Sequence, residues 1–259
     1  MTYSPHEMMT IAAARSLSNN DICFVGIGLP SAACNLARLT HAPQIKLIYE
    51  SGTLGTRPRV LPLSIGDGEL CETALTTVSV PEVFRYWLQG GRMSVGFLGG
   101  AQVDRFGNLN STVIGDYANP KVRLPGSGGA TEIATGCGQV FIVMRQGIRS
   151  FVKQLDFLTT LGHGRTGRER RELGLRTKGP VLLVTDLCAM RPDPETCEMT
   201  VTHLHPGISR EQVQENTAWN LRFAKSIEES APPTASELEV LRELHARTEK
   251  AHGVAGGTE

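Results

Sequence analysis

Five short runs, ICFVGIG, KLIYE, MSVGFLGG, QVFIVM and VLLVTD, are apolar almost without interruption over the length of a strand. A strand with one face in water alternates apolar and polar residues, whereas one covered on both faces reads as a continuous apolar run. Helical spacing of Ala33, Leu36 and Leu39 in PSAACNLARLTH separates the first run from the second, a β, α, β order that favours parallel pairing. The expectation is an α/β fold: an open, mostly parallel sheet with helices on both faces.

Helix ends are marked by capping residues. Ser4, Pro5 and Glu7 read as N-cap, first turn and capping-box acid of a helix that turns Met8, Ile11, Ala14 and Leu17 inward. Ser79 and Glu82 do the same for SVPEVFRYWLQGG, with Val83, Phe84, Trp87 and Leu88 on one side and glycine at its end. Thr234 and Glu237 open a surface helix containing Leu238, Leu241 and Leu244. Residues 1–250 read as a single domain and 251–259 as a disordered tail.

Composition narrows the function. At 259 residues and 40% hydrophobic the chain can bury a sizeable core, and Lys plus Arg balances Asp plus Glu at 26 each. No global field draws it to nucleic acid or an anionic membrane. The N-terminus lacks the basic start and apolar stretch of a secretory signal, so a cytoplasmic protein is expected. Cys23, Cys34, Cys71, Cys137, Cys188 and Cys197 form no CxxC pair and read as small hydrophobes in a reducing compartment.

Two polar stretches break the pattern. DRFGNLNSTVIGDYANPKVRLPGSGGA, from Asp104 to Ala130, is dense in Gly, Asn, Asp and Pro, yet its Val113, Ile114, Val122 and Leu124 argue for order. It reads as loops that build a site. HGRTGRERRELGLRTKG carries most of the local positive charge and reads as a solvated surface loop rather than a phosphate or partner contact.

Three constellations compete for the chemistry. Gly26 and Gly28, with Glu50 about 20 residues on, resemble a dinucleotide site. The third glycine is Ser31, however, and Pro30 interrupts the loop, so the turn signals fold rather than cofactor. His203 and His205 would share one side of a strand, but no further ligand lies at a metal-binding spacing and no metal is expected. The third joins Glu50, at the end of KLIYE, to the glycines of GSGGA. Ligands of parallel sheets bind beyond the carboxyl ends of strands, Gly52 permits a sharp turn, and clustered glycines can aim N–H groups at an oxyanion. From pattern alone, Glu50 is a nucleophile or else the partner of Arg57 or Arg59.

FVGIGLPS, LIYESG, LPLSIGDGEL, FLGGAQVDRFGNLNSTVIGDY, KVRLPGSGGA and LDFLTTLGHG together resemble the β subunits of class I coenzyme A transferases, from about residue 5 to about residue 230. The resemblance is strongest to the 3-oxoadipate branch of aromatic-compound degradation, then to the glutaconate branch. It implies the β-subunit fold of that family, with Glu50 as nucleophile and Gly126, Gly128, Gly129 and Ala130 at the thioester. Ser51, Gly52 and Gly28 are substrate-loop candidates.

What the resemblance implies chemically is a ping-pong exchange from succinyl-CoA to 3-oxoadipate through a glutamyl-CoA thioester. A glutaconate-type transferase, or an acyl-CoA hydrolase with Glu50 as general base, is the alternative. The CoA thioester is substrate; no permanently bound cofactor is expected. A separate α subunit is the implied partner, without which the chain should be inactive. Relatives on this fold that became decarboxylases or ring-opening hydrolases lack the glutamate, so its presence here favours transfer.

Overall fold

In a computed structural model, residues 2–253 are described. Helix α1 (Pro5–Arg15) begins at the expected capping box: Ser4 Oγ accepts from the Glu7 amide, and the Glu7 side chain returns to the Ser4 amide. It leads into β1 (Ile22–Val25), α2 (Leu29–Leu39) and β2 (Lys46–Tyr49). β1 and β2 pair in parallel, Phe24 opposite Ile48, as the β, α, β order requires. Leu39, assigned to the apolar side of α2, is instead over a third exposed as the last residue of the helix.

From β2 the chain doubles back into β3 (Thr53–Thr56), passes through the short α3 (Gly68–Glu72) and reaches β4 (Thr76–Thr77) at the sheet edge. The Ser79 cap starts α4 (Val80–Glu82), which widens at once into a π-helix over Val83–Leu88. β5 (Val95–Leu98) then pairs with β1 on the side opposite β2.

The irregular stretch that follows contains two small hairpins, β6 (Gln102–Val103) with β7 (Leu109–Asn110) and β8 (Val113–Gly115) with β9 (Pro120–Arg123). Buried amides hold it in order. Asn110 Nδ2 donates to Gln102 Oε1 and the Val113 carbonyl, while Asn108 Nδ2 donates to Asp104 and the Gly164 carbonyl. Burial raises the Asp104 carboxyl pKa, and the Asn108 bonds pull it back.

After α5 (Ala130–Gly136) come β10 (Gln139–Val143), α6 (Glu169–Glu172), β11 (Pro180–Val184), β12 (Cys188–Pro192), β13 (Met199–Leu204), α7 (Arg210–Glu215), β14 (Arg222–Glu229) and α8 (Ala235–His252). The main sheet runs β14-β13-β12-β11-β10-β5-β1-β2-β3-β4. Its five central strands, β11 to β2, are parallel, and antiparallel pairs flank them on both sides.

Alternate residues of each central strand feed opposite cores, which is why those runs read as continuously apolar. Cys23, Val25, Leu47, Tyr49 and Phe97 pack with α1, α2 and α8 on one face. Phe24, Ile48, Leu98 and Ile142 pack with the π-helix and α5 on the other. Helix α8 docks on α1 through Arg15–Glu237 and Arg242–Glu7, both closing at 2.6 Å.

It extends to His252, into the segment read as a tail; residues 254–259 lie outside those described. Four cysteines are buried, Cys71 is exposed and Cys197 half-buried; burial pushes the Cys137 and Cys188 thiols up to about 12. Among the described residues, no helix is long and apolar enough to cross a membrane.

Candidate active site

β1 lies between β2, which follows it in sequence, and β5, which arrives later from the other side. Strand order reverses there, and open α/β sheets form their ligand crevice outside the carboxyl ends of strands at such a reversal. Gly26 and Gly28 follow β1, Glu50 follows β2, and Gly99 and Gly100 follow β5. Ile27, between the two glycines after β1, packs against the core, and among these strand-end residues only Glu50 carries an ionisable side chain.

Two anchors hold Glu50. On its N-terminal side the buried Tyr49 hydroxyl meets Ser31 Oγ at 2.6 Å, and Asn35 Nδ2 donates to the Ser31 carbonyl at 2.9 Å. On its C-terminal side the Gly52 amide donates to the Tyr49 carbonyl at 3.0 Å and the Gly52 carbonyl accepts from Val78 at 2.9 Å. Gly52 has φ +102°, and a Cβ there would lie 1.9 Å from the Val78 carbonyl oxygen. Only glycine satisfies both demands, so the turn that lifts Glu50 and Ser51 off the strand depends on it.

Glu50 is half-buried, and among the described residues it has neither a hydrogen bond nor an ion pair. Arg57 donates instead to the Pro43 carbonyl at 2.8 Å, and Arg59 pairs with Glu69 and Glu72. The salt-bridge alternative for Glu50 is therefore set aside. The neighbouring Ser51 Oγ is shut off from solvent without a partner among the described residues.

What faces the carboxylate is the glycine turn. Helix α5 is drawn onto the sheet because β5 presents Gly96, where a Cβ would lie 2.5 Å from Ile133 Cγ2. That seating carries the GSGGA turn toward β2. At Gly129, the N-cap of α5, a Cβ would lie 3.2 Å from Glu50 Oε1 and 2.7 Å from Phe84 Cζ. The sequence-level pairing of Glu50 with GSGGA is thus a spatial one, through Gly129.

The four members of the turn differ. The Gly126 amide is spent on the Ser111 carbonyl at 2.9 Å, and the Ala130 amide on the Ser127 carbonyl at 2.8 Å. No partner takes the amides of Ser127, Gly128 and Gly129 among the described residues, so of the four expected members Gly128 and Gly129 keep an N–H available to a ligand. Gly28, at φ +78° with open space around it, caps α2 at the neighbouring strand end.

The rival constellations are committed elsewhere. Ser31, where a third dinucleotide glycine would stand, is buried against Tyr49, and Pro30 sits in the first turn of α2. His205 has both ring nitrogens engaged, with Ser230 Oγ at 3.0 Å and the Thr185 carbonyl at 2.9 Å. Burial lowers its pKa. His203 faces Glu228 at 3.4 Å. Among the described residues, no cluster of His, Cys, Asp and Glu could hold a metal ion. An open cleft of about 810 Å³ lies between Ala101, Ile114 and the Gly147–Ser150 loop, but neither Glu50 nor Gly129 is among its walls.

One arginine of the basic stretch departs from its reading as a solvated loop. Arg165, Arg168 and Arg171 are exposed, but Arg170 is only 5% exposed and spends its guanidinium on the carbonyls of Ala134, Gly162 and Thr177. It fastens α5, and with it the glycine turn, to the loop before α6. Phe84, read from sequence merely as part of a core face, has its ring beside Gly129. The sequence signal for both is faint: one arginine among several, and one aromatic in an amphipathic helix.

The coenzyme A transferase family model matches residues 6–216. The chain is 62% identical over 257 residues, 99% of both chains, to the β-type subunit of 3-oxoadipate CoA-transferase from Pseudomonas knackmussii. It is 37% identical over 241 residues, 90% of this chain and 89% of the relative, to the corresponding subunit of glutaconate CoA-transferase from Acidaminococcus fermentans. The crystal structure of glutaconate coenzyme A-transferase from that organism superposes with a TM-score of 0.87 at 33% identity, covering 93% of this chain and 94% of the other.

Proposed function

The chain belongs to the coenzyme A transferase family, and from that premise we propose that Glu50 is the nucleophile through which it moves CoA from succinyl-CoA to 3-oxoadipate. Transfer of CoA is the activity, and this chain is its β-type subunit. The donor, the acceptor, a separate α subunit and the ping-pong course are the proposal.

One observation carries the assignment: the Glu50 carboxylate, without a hydrogen bond or counter-ion among the described residues, faces Gly129, in a turn where the amides of Gly128 and Gly129 have no partner among those residues. A structural carboxylate at a strand end would be paired, because leaving a buried or half-buried charge unmatched costs stability. A nucleophile has reason to be left bare.

In the first step a Glu50 oxygen attacks the thioester carbon; the carbon–sulfur bond breaks, CoA leaves as thiolate and a mixed anhydride forms. The thiolate then attacks the Glu50 carbonyl carbon and releases the acid as its carboxylate. A glutamyl-CoA thioester remains, and the acceptor carboxylate reverses both steps, so no net proton is consumed.

The attack is uphill, since a free carboxylate is a far weaker base than the thiolate it displaces, about 4.3 against about 8.5. Amides of Gly128 and Gly129 aimed at the developing oxyanion would stabilise it by about 3 kcal/mol each. Binding of the remote parts of CoA supplies the positioning.

The test uses the chain reconstituted with its α subunit. With succinyl-CoA and no acceptor, borohydride should trap the thioester and reduce Glu50 to the alcohol, while Glu50→Gln should take no label and lose almost all exchange. Near-normal turnover by Glu50→Gln, with hydrolysis of the mutant amide excluded, would sink the assignment. A panel of 3-oxoadipate, glutaconate and acetoacetate as acceptors tests the substrate.

A further inference from the structure

Every intermediate of such an exchange is a carboxyl derivative that water destroys, so a transferase needs something at Glu50 that admits an acid and turns water away. We propose that Phe84 is that group: a positioning residue whose ring walls the Glu50 carboxylate and keeps the acyl and CoA intermediates from hydrolysis. This rests on Glu50 being the nucleophile.

The geometry points to the ring edge. Phe84 Cζ and Cε1 lie 2.7 Å and 2.9 Å from the point where a Gly129 Cβ would stand, and Glu50 Oε1 lies 3.2 Å from that same point. Ring edge and carboxylate oxygen converge over Gly129. The edge of an aromatic ring carries the positive end of its quadrupole, so it orients an anion without donating a hydrogen bond. A carboxylate steered in this way keeps its lone pairs for attack, whereas an arginine or lysine partner would occupy them.

The ring is held from behind. Phe24, 2% exposed on β1, takes it edge to face at 5.9 Å and 62°. The Phe84 backbone lies in the first turn of the π-helix, with the Phe84 carbonyl accepting from the Gln89 amide at 2.8 Å and the Trp87 carbonyl from the Arg92 amide at 2.9 Å. Val83 and Leu88 at the two ends of that segment are fully buried, yet Phe84 between them is only half-buried. A ring serving the core alone would be as closed off as they are. Single π-turns recur at functional sites because the wide turn re-aims the side chains that follow it.

The experiment measures hydrolysis and transfer of succinyl-CoA side by side in the reconstituted enzyme, together with borohydride capture at Glu50. Phe84→Ala should raise the ratio of hydrolysis to transfer by roughly 10-fold or more and lower the captured thioester, because water reaches the intermediates. Phe84→Leu, which fills the seat on Phe24 but lacks the ring edge, should raise the ratio by about 3-fold and is read alone if the alanine variant does not assemble.

A purely structural role would lower both rates together and leave the ratio where it was. An unchanged ratio in an assembled variant, with wild type still captured at Glu50, would overturn the proposal. Absence of capture in wild type would overturn the nucleophile reading itself, and this inference with it.

Discussion

Replacing Gly129 by alanine should remove most of the transfer activity and leave the fold nearly intact. Gly129 has φ −83° and ψ 2°, which any residue can adopt, so the substitution introduces no backbone strain. The difficulty is space. The new methyl would lie 2.7 Å from Phe84 Cζ and 3.2 Å from Glu50 Oε1. Carbon atoms settle at about 3.5 Å or more, so the ring edge must retreat by about 1 Å, and the carboxylate by a few tenths.

Phe84 is half-buried and can swing, which limits the destabilisation to about 1 kcal/mol, at the low end for an overpacked site. For a chain of this size that lowers Tm by about 2–4 °C. The reaction is less forgiving: a 1 Å misplacement of a reacting group costs about 100-fold, and on that scale the few tenths forced on the carboxylate, with the ring edge displaced beside it, cost roughly 5- to 10-fold. Steady-state transfer with the α subunit and thermal melts of the same preparation separate the two effects. Turnover within about 3-fold of wild type would refute the steric reasoning, while a Tm loss above about 10 °C would show Gly129 to be a folding residue instead.

Two further substitutions test other parts of the structure. Gly52→Ala should fail in the opposite way: a Cβ 1.9 Å from a backbone oxygen at φ +102° can be relieved only by opening the turn. The strain and the two hydrogen bonds lost together come to about 4 kcal/mol, seen as a Tm drop of roughly 10 °C, and a wild-type melting curve would contradict this. Glu237 tests pH dependence: burial alone would raise its pKa, but hydrogen bonds from Arg15 and Thr234 overcome this and hold it down to about 2. A depressed carboxylate stabilises the fold above its unfolded value of 4.5 and loses that contribution as pH falls toward about 2. Glu237→Gln should therefore lower Tm at neutral pH and flatten the acid limb in that window; parallel limbs for the two proteins would disprove the linkage.

Much of the fold is legible because its signals are local. A capping box needs only residues three apart, and the boxes at Ser4 and Thr234 form as read. Continuous apolar runs mark strands covered on both faces, and the parallel centre of the sheet follows. The antiparallel flanks are less visible: β3 and β4 are short, half-polar strands whose pairing is decided by the Gly52 turn and the Val78 backbone. Arg170 shows the same limit, since nothing in RERRE distinguishes the arginine that turns inward to bond buried carbonyls such as those of Ala134 and Gly162 from its solvated neighbours.

The site divides along the same line. Glu50 stands out in sequence because a carboxylate at the end of an apolar strand is anomalous by itself, and GSGGA because clustered glycines imply an unusual backbone. What sequence does not convey is why each glycine is needed. As a source of N–H groups the turn would offer four equivalent donors, yet Gly126 and Ala130 are already bonded within the fold. Gly129, with an ordinary φ, is needed for having no side chain at the one point where the Phe84 ring and the Glu50 carboxylate converge. That requirement arises only after β5, the π-helix and α5 have packed: Gly96 lets α5 approach, Phe24 seats the ring, and the ring edge and the carboxylate oxygen then both stand too close to Gly129 for a Cβ to fit at ordinary contact distance. A residue whose role is to leave room has no signature of its own in sequence, so this part of the site becomes readable only from the elements that close around it.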